Sequence, residues 1–157
     1  MKSTVYIETT VVSYLTARPS NDIRAAACQN ITADWWDNRR ADFDLYISEF
    51  VVVEASRGNE EAAARRLSVI EGIAELRVTE DTRDLAEALI KGGSLPAKAE
   101  IDAFHVAVAT VNGINYLLTW NCSHIANAVM RPRIEAVCRR HGFEPPIICT
   151  PSELLEG

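Results

Sequence analysis

Cysteine is scarce and scattered in this chain, confined to Cys28, Cys122, Cys138 and Cys149. None form a C-x-x-C pair, and no histidine stands at zinc-finger spacing from them, which argues against a structural zinc site. Such thiols suit a reducing cytoplasm, where buried cysteines act as small hydrophobes. Cations are also in deficit: 16 Lys and Arg stand against 22 Asp and Glu, a net charge of -6. That balance weighs against gripping nucleic acid by bulk positive charge. A bound metal ion would invert the field locally, so nuclease chemistry stays open. No apolar run approaches the length of a membrane span. Met1-Lys2-Ser3-Thr4 leads straight into a strand-like segment, so no cleavable targeting sequence is expected. Also missing are a G-x-x-x-x-G-K-S/T loop, a G-x-G-x-x-G after a strand, and paired aspartates after the first strand. Their absence argues against the common phosphoryl-transfer architectures. With no repeat, linker or low-complexity tract, the 157 residues predict one domain, 1–157.

What is present is an alternation of strand and helix signals. Val5-Tyr6-Ile7 reads as a buried strand, and Thr9 or Thr10 offers a cap for a helix through Leu15. Asn21-Asp22 precedes a helical pattern from Ile23 to about Arg40, and Asp44 to Ser48 is a second strand. Ser48 to Arg57 carries three consecutive valines, yet Ser48 can cap a helix and Gly58 can stop one, so a helix is expected. Further helices are expected over Glu60–Ile70, Thr79–Lys91, Lys98–Asn112 and Ile125–His141, the last interrupted or kinked near Pro132. Strands are expected over Glu75–Val78, Ile114–Leu118 and Ile147–Cys149, with a short helix from Pro151 to Leu155. This order implies βαβ crossovers and a mainly parallel five-stranded sheet between helical layers, a three-layer α/β/α fold. Ligands in such sheets bind beyond the carboxyl ends of the strands, where strand order reverses.

Four polar residues stand at the ends or rims of apolar segments. Glu8 follows Val5-Tyr6-Ile7, Glu54 follows Phe50-Val51-Val52-Val53, Asp102 opens Ala103 to Ala109, and Asn121 comes after Tyr116 to Trp120. Carboxylates in apolar surroundings are expensive unless a cation or hydrogen bonds compensate them. If the fold gathers these positions, a divalent-metal site and phosphodiester cleavage are the natural chemistry.

The segments Tyr6-Ile7-Glu8-Thr9-Thr10-Val11-Val12-Ser13-Tyr14-Leu15, Ser48 to Gly58, Glu100 to Ala109 and Leu117-Leu118-Thr119-Trp120-Asn121 together resemble PIN domains. Their order and spacing are similar to the VapC-type toxins of bacterial type II toxin–antitoxin pairs. The resemblance implies a PIN-like fold and a metal-dependent ribonuclease using Mg²⁺ or Mn²⁺. It also implies an RNA substrate, a homodimer and a small antitoxin partner. Carried over residue by residue, Glu8, Glu54 and Asp102 are catalytic acids and metal ligands. Asn121 takes the place of the usual fourth acid, and Thr9 and Thr119 supply hydroxyls beside the ligands. Two departures follow: Glu8 is a methylene longer than the family's Asp, and Asn121 coordinates without bringing a charge. A weakly active or inactive interaction module with the same fold is the alternative.

Other side chains carry two readings each. Arg131 and Arg133 read either as phosphate contacts or as a solvated face. Trp35 and Trp36 read either as base-stacking groups or as a half-buried pair. His124, close to Asn121, reads either as a substrate contact or as a surface or capping residue, and His105 reads as packed in an apolar helix.

Overall fold

The run Val5-Tyr6-Ile7 has no charged side chain to turn toward water, and it becomes the fully buried centre of the sheet. A computed structural model describes residues 1–157 and places this segment in strand β1 (Ser3–Ile7). The other strands are β2 (Phe43–Ile47), β3 (Ala74–Glu75), β4 (Tyr116–Leu118) and β5 (Ile147–Cys149). All pairings are parallel, in the order β3-β2-β1-β4-β5. The chain winds outward from β1 to β3, then returns to the other side of β1 for β4 and β5.

Right-handed crossovers therefore place the helices before and after that return on opposite faces. Helices α1 (Thr9–Thr16), α2 (Ile23–Asn38), α3 (Glu49–Ala55) and α4 (Glu60–Ile70) come first. Helices α5 (Glu80–Lys91), α6 (Glu100–Val111) and α7 (Met130–Arg140) come after it. Within the first group α1 packs on α2, α3 and α4; within the second α5 packs on α6 and α7, and α3 touches α6 across the rim. The result is the α/β/α sandwich that the segment order predicts.

Capping explains why several helices start where they do. Asp22 accepts from the Ala25 N–H at 2.9 Å and opens α2. Ser48 accepts from the Phe50 N–H at 3.2 Å and turns the valine-rich segment into α3 rather than a strand. At α1 the expected cap does not form. Glu8 occupies the cap position without using its side chain there, and the hydroxyls of Thr9 and Thr10 point elsewhere.

Three boundaries differ from expectation. The helix expected from Ile125 starts at Met130, because the Asn127 Oδ1 accepts the N–H groups of Val129 and Met130 at 2.9 and 3.2 Å and starts the helix there. Pro132 then falls in the first turn of α7, where no intrahelical partner is lost, so it causes no kink. Strand β3 is only Ala74–Glu75, since β2 ends at Ile47 and offers nothing beyond for it to pair with. Residues 151–155 form turns, not a helix; Glu153 bonds back to the Thr150 N–H at 3.0 Å, and so short a segment does not repay helix nucleation. No helix is long and apolar enough to cross a membrane.

Candidate metal centre

Strands β1 and β4 are neighbours, with Ile7 paired to Leu118, so their carboxyl ends meet at the point where strand order reverses. The Glu8 N–H donates to the Leu118 carbonyl at 3.1 Å, which extends the pairing one residue into the site. Glu8 is 2% exposed and forms no ion pair with Lys or Arg. Its Oε1 accepts the hydroxyls of Thr10 at 2.5 Å and Thr119 at 2.6 Å. Burial pushes its carboxyl above the usual range, and the nearby His105 imidazole and these hydroxyls offset that only in part.

Glu54 arrives from the last turns of α3. Its Oε1 accepts the Thr9 hydroxyl and the His105 Nε2 donor, both at 2.6 Å. Burial by itself would raise this carboxyl, but the hydrogen bond from His105, the Thr9 hydroxyl and the charge of Arg57 hold it below the ordinary range. Consecutive threonines after β1 thus serve two different acids, Thr9 for Glu54 and Thr10 for Glu8. One ligand atom from each of Glu8, Glu54 and His105 lies within 4.8 Å of the others.

Asp102 lies outside that trio but beside it. It precedes His105 by one helical turn on α6, so both residues face the same side. Its Oδ2 meets the His124 Nδ1 at 2.9 Å. Asn121 sits just past β4, where its Oδ1 accepts the His124 N–H at 3.1 Å and its own N–H donates to the Thr119 Oγ1 at 2.9 Å. Asp102 and Asn121 are therefore joined through His124. The loop carrying Asn121 is pinned by Trp120, whose backbone N–H donates to the Thr10 Oγ1 and whose indole N–H donates to the Thr32 Oγ1, both at 2.8 Å.

A common pattern runs through the three acids. Each has one oxygen held by side-chain donors: Oε1 in Glu8, Oε1 in Glu54 and Oδ2 in Asp102. The second oxygen of each receives no side-chain hydrogen bond. Carboxylate oxygens in this state suit a hard divalent cation such as Mg²⁺ or Mn²⁺, so the donor set fits the metal that the resemblance implies.

Sequence reasoning misses His105 as a member of the site, and weighs His124 only as a substrate contact or as a surface or capping residue. His105 is wholly buried, as expected, yet it contacts an acid instead of merely filling space. Its spacing of three from Asp102, and the spacing of three between Asn121 and His124, are the signals that point to them. The arginines lie apart from the trio: the Arg131 Nη1 donates to the Ile148 carbonyl of edge strand β5 at 3.2 Å, and Arg133 is exposed. Trp35 is buried in the core against Phe43 and so is closed to bases, while Arg40 covers the ring of Trp36 at 4.6 Å.

No protein-family model and no curated protein matches the chain. Among solved structures it is similar to VapC20 of Mycobacterium tuberculosis, a sarcin–ricin loop cleaving toxin. Identity is 19%, the match covers 78% of this chain and 93% of that one, and the TM-score is 0.55. The chain has a PIN-like fold. In this PIN-like frame Glu8 and Thr119–Asn121 follow adjacent central strands, while Glu54 and Asp102 arrive from helices at the same rim.

Proposed function

We propose that this PIN-like protein is a metal-dependent endoribonuclease and the toxin of a toxin–antitoxin pair. The observation that carries the reading is the meeting of Glu8, Glu54 and His105 at the sheet's reversal point, in a fold shared with an RNA-cleaving toxin. Glu8, Glu54 and Asp102 would hold Mg²⁺ or Mn²⁺, with Asn121 contributing directly or through water. Such a cation activates water and neutralises charge on a phosphoryl group. The protein's own part is positional: Thr10 and Thr119 hold Glu8 at the buried β1–β4 end, and Thr9 holds Glu54. No Ser, Cys or His nucleophile is needed. An RNA substrate, a small antitoxin, a homodimer and a cytoplasmic setting belong to the same reading and rest on the likeness of fold. Within it, Arg133 is free to meet phosphate, while Arg131 does so only by giving up its hold on β5.

Purified protein is expected to cut members of an RNA panel with Mn²⁺ and to stop in excess chelator; undiminished cutting in chelator would refute the scheme. One observation favours the second reading, an inactive interaction module: Asn121 brings no charge, and its oxygen is already engaged by His124. Restoring the charge with Asn121→Asp is expected to tighten Mn²⁺ binding about tenfold, equivalent to about 1.4 kcal/mol. Titration calorimetry checks this, and unchanged affinity would remove Asn121 from the ligand set.

A further inference from the structure

Behind Glu54 lies a line of buried polar groups that the cleavage scheme leaves without a task. The Ser48 Oγ stands 2.7 Å from the Tyr6 Oη, the Tyr6 Oη stands 2.6 Å from the His105 Nδ1, and the His105 Nε2 stands 2.6 Å from the Glu54 Oε1. Ser48, Tyr6 and His105 are all 0% exposed. Three polar side chains in a dry interior are costly unless every donor finds an acceptor. That requirement sets the direction of the line. The Ser48 Oγ already accepts the Phe50 N–H, so its own hydrogen has only Tyr6 to go to. The Tyr6 hydroxyl then donates to the His105 Nδ1, and the Nε2–H of His105 donates to Glu54. All the donors of the line, from the Phe50 N–H to the His105 Nε2–H, are thereby satisfied, and the last one lands on a metal-ligand candidate.

We propose that Tyr6 and His105 are positioning residues: Tyr6 sets the tautomer and ring angle of His105, which fixes the Glu54 carboxylate by Oε1 and leaves its other oxygen free for a cation. The inference rests on the metal reading above. The sheet itself supplies the rigidity, since Tyr6 belongs to central strand β1 and Ser48 caps α3, the helix that carries Glu54. The line thus ties β1, α6 and α3 together at the one acid that arrives from a short helix at the sandwich rim.

The test is the affinity for Mn²⁺ alone, by titration calorimetry on the full chain, with circular dichroism confirming the fold of every variant. His105→Leu is expected to weaken binding roughly 10–100-fold, the usual cost of losing a group that orients a ligand. His105→Gln keeps an N–H near Glu54 and should recover part of the loss. Tyr6→Phe touches no acid and keeps the ring packing, yet it should weaken binding by up to about tenfold. In the His105→Leu background the same change should cost nothing further, because Tyr6 acts only through His105. A merely structural Tyr6 would lower stability in both backgrounds and leave affinity alone, which would overturn the proposal. Folded His105→Leu and Tyr6→Phe proteins binding as tightly as a wild type that does bind Mn²⁺ would overturn it without touching the metal reading. A wild type that takes up no Mn²⁺ would overturn both.

Discussion

Glu8→Gln is expected to weaken Mn²⁺ binding and RNA cleavage severely while raising the melting temperature of the metal-free protein. The two effects have one cause. Glu8 is a buried carboxylate with hydroxyl partners and no Lys or Arg beside it. Burial raises its folded-state pKa above the unfolded value, which means the charged form burdens the fold. Its contribution to stability is therefore fully present below the unfolded carboxylate range and is lost as pH rises through the raised folded value. A glutamine accepts the Thr10 and Thr119 hydroxyls through its carbonyl oxygen and carries no charge at any pH. At neutral pH the variant should melt higher than wild type, and the gap should close as pH falls below the carboxylate range. Its cleavage rate should fall about 100-fold or more, since even groups that merely orient a ligand are worth roughly 10–100-fold.

Glu54→Gln supplies the opposite sign in the same experiment. Burial alone would raise the Glu54 carboxyl, but His105, Thr9 and Arg57 together depress it. A depressed folded pKa contributes stability above the unfolded value and loses it as pH falls through the folded one. The metal-free Glu54→Gln protein should therefore melt lower than wild type at neutral pH. Thermal scans of both variants in chelator, from acid to neutral pH, check the pair. Equal melting points for wild type and Glu8→Gln across that range would show that Glu8 bears no desolvation burden.

Part of this site is legible in the order of residues alone. Glu8 and Glu54 each terminate an apolar run, and a buried segment that ends in an acid has few bland explanations. The meeting of β1 and β4 is consistent with the alternation of segments, because a parallel sheet that reverses direction pairs its first strand with the first one of the return. His105 escapes because its surroundings are apolar in sequence: Phe104, Val106, Ala107 and Val108 describe a core helix, and only the third dimension supplies Tyr6 and Glu54. The turn over 121–129 escapes for a different reason. Ile125 and Met130 fit a helical pattern, and nothing local reveals that the Asn127 side chain will take up backbone N–H groups and start the helix late. Thr9 and Thr10 read as backbone caps, where a threonine before a helix most often belongs. The pull of two carboxylates, the buried Glu8 and the half-buried Glu54, redirects them.

Asp102→Asn is expected to cost RNA cleavage about 100-fold or more and to weaken Mn²⁺ binding about tenfold, equivalent to about 1.4 kcal/mol. The substitution preserves shape and leaves an oxygen for the His124 ring, so it removes little besides charge. His124→Ala makes the complementary cut: it removes the ring that holds the Asp102 Oδ2 and leaves the charges of Glu8 and Glu54 intact. Its loss in affinity should be smaller than that of Asp102→Asn if Asp102 acts on the cation. Should Asp102→Asn instead bind Mn²⁺ like wild type while cleaving as poorly as His124→Ala, Asp102 would belong to His124 and not to the metal. Geometry offers a third arm. Asp102 and Asn121 both bond to His124, one through its ring and the other through its backbone, so a charge at either position sits beside the same residue. Adding Asn121→Asp to Asp102→Asn moves the lost charge across His124 rather than abolishing it. The double variant should regain part of the Mn²⁺ affinity, since a carboxylate within several ångströms of a cation in a partly dry site still attracts it strongly. Recovery of affinity without recovery of cleavage would separate the charge that retains the metal from the geometry that orients water on the phosphate.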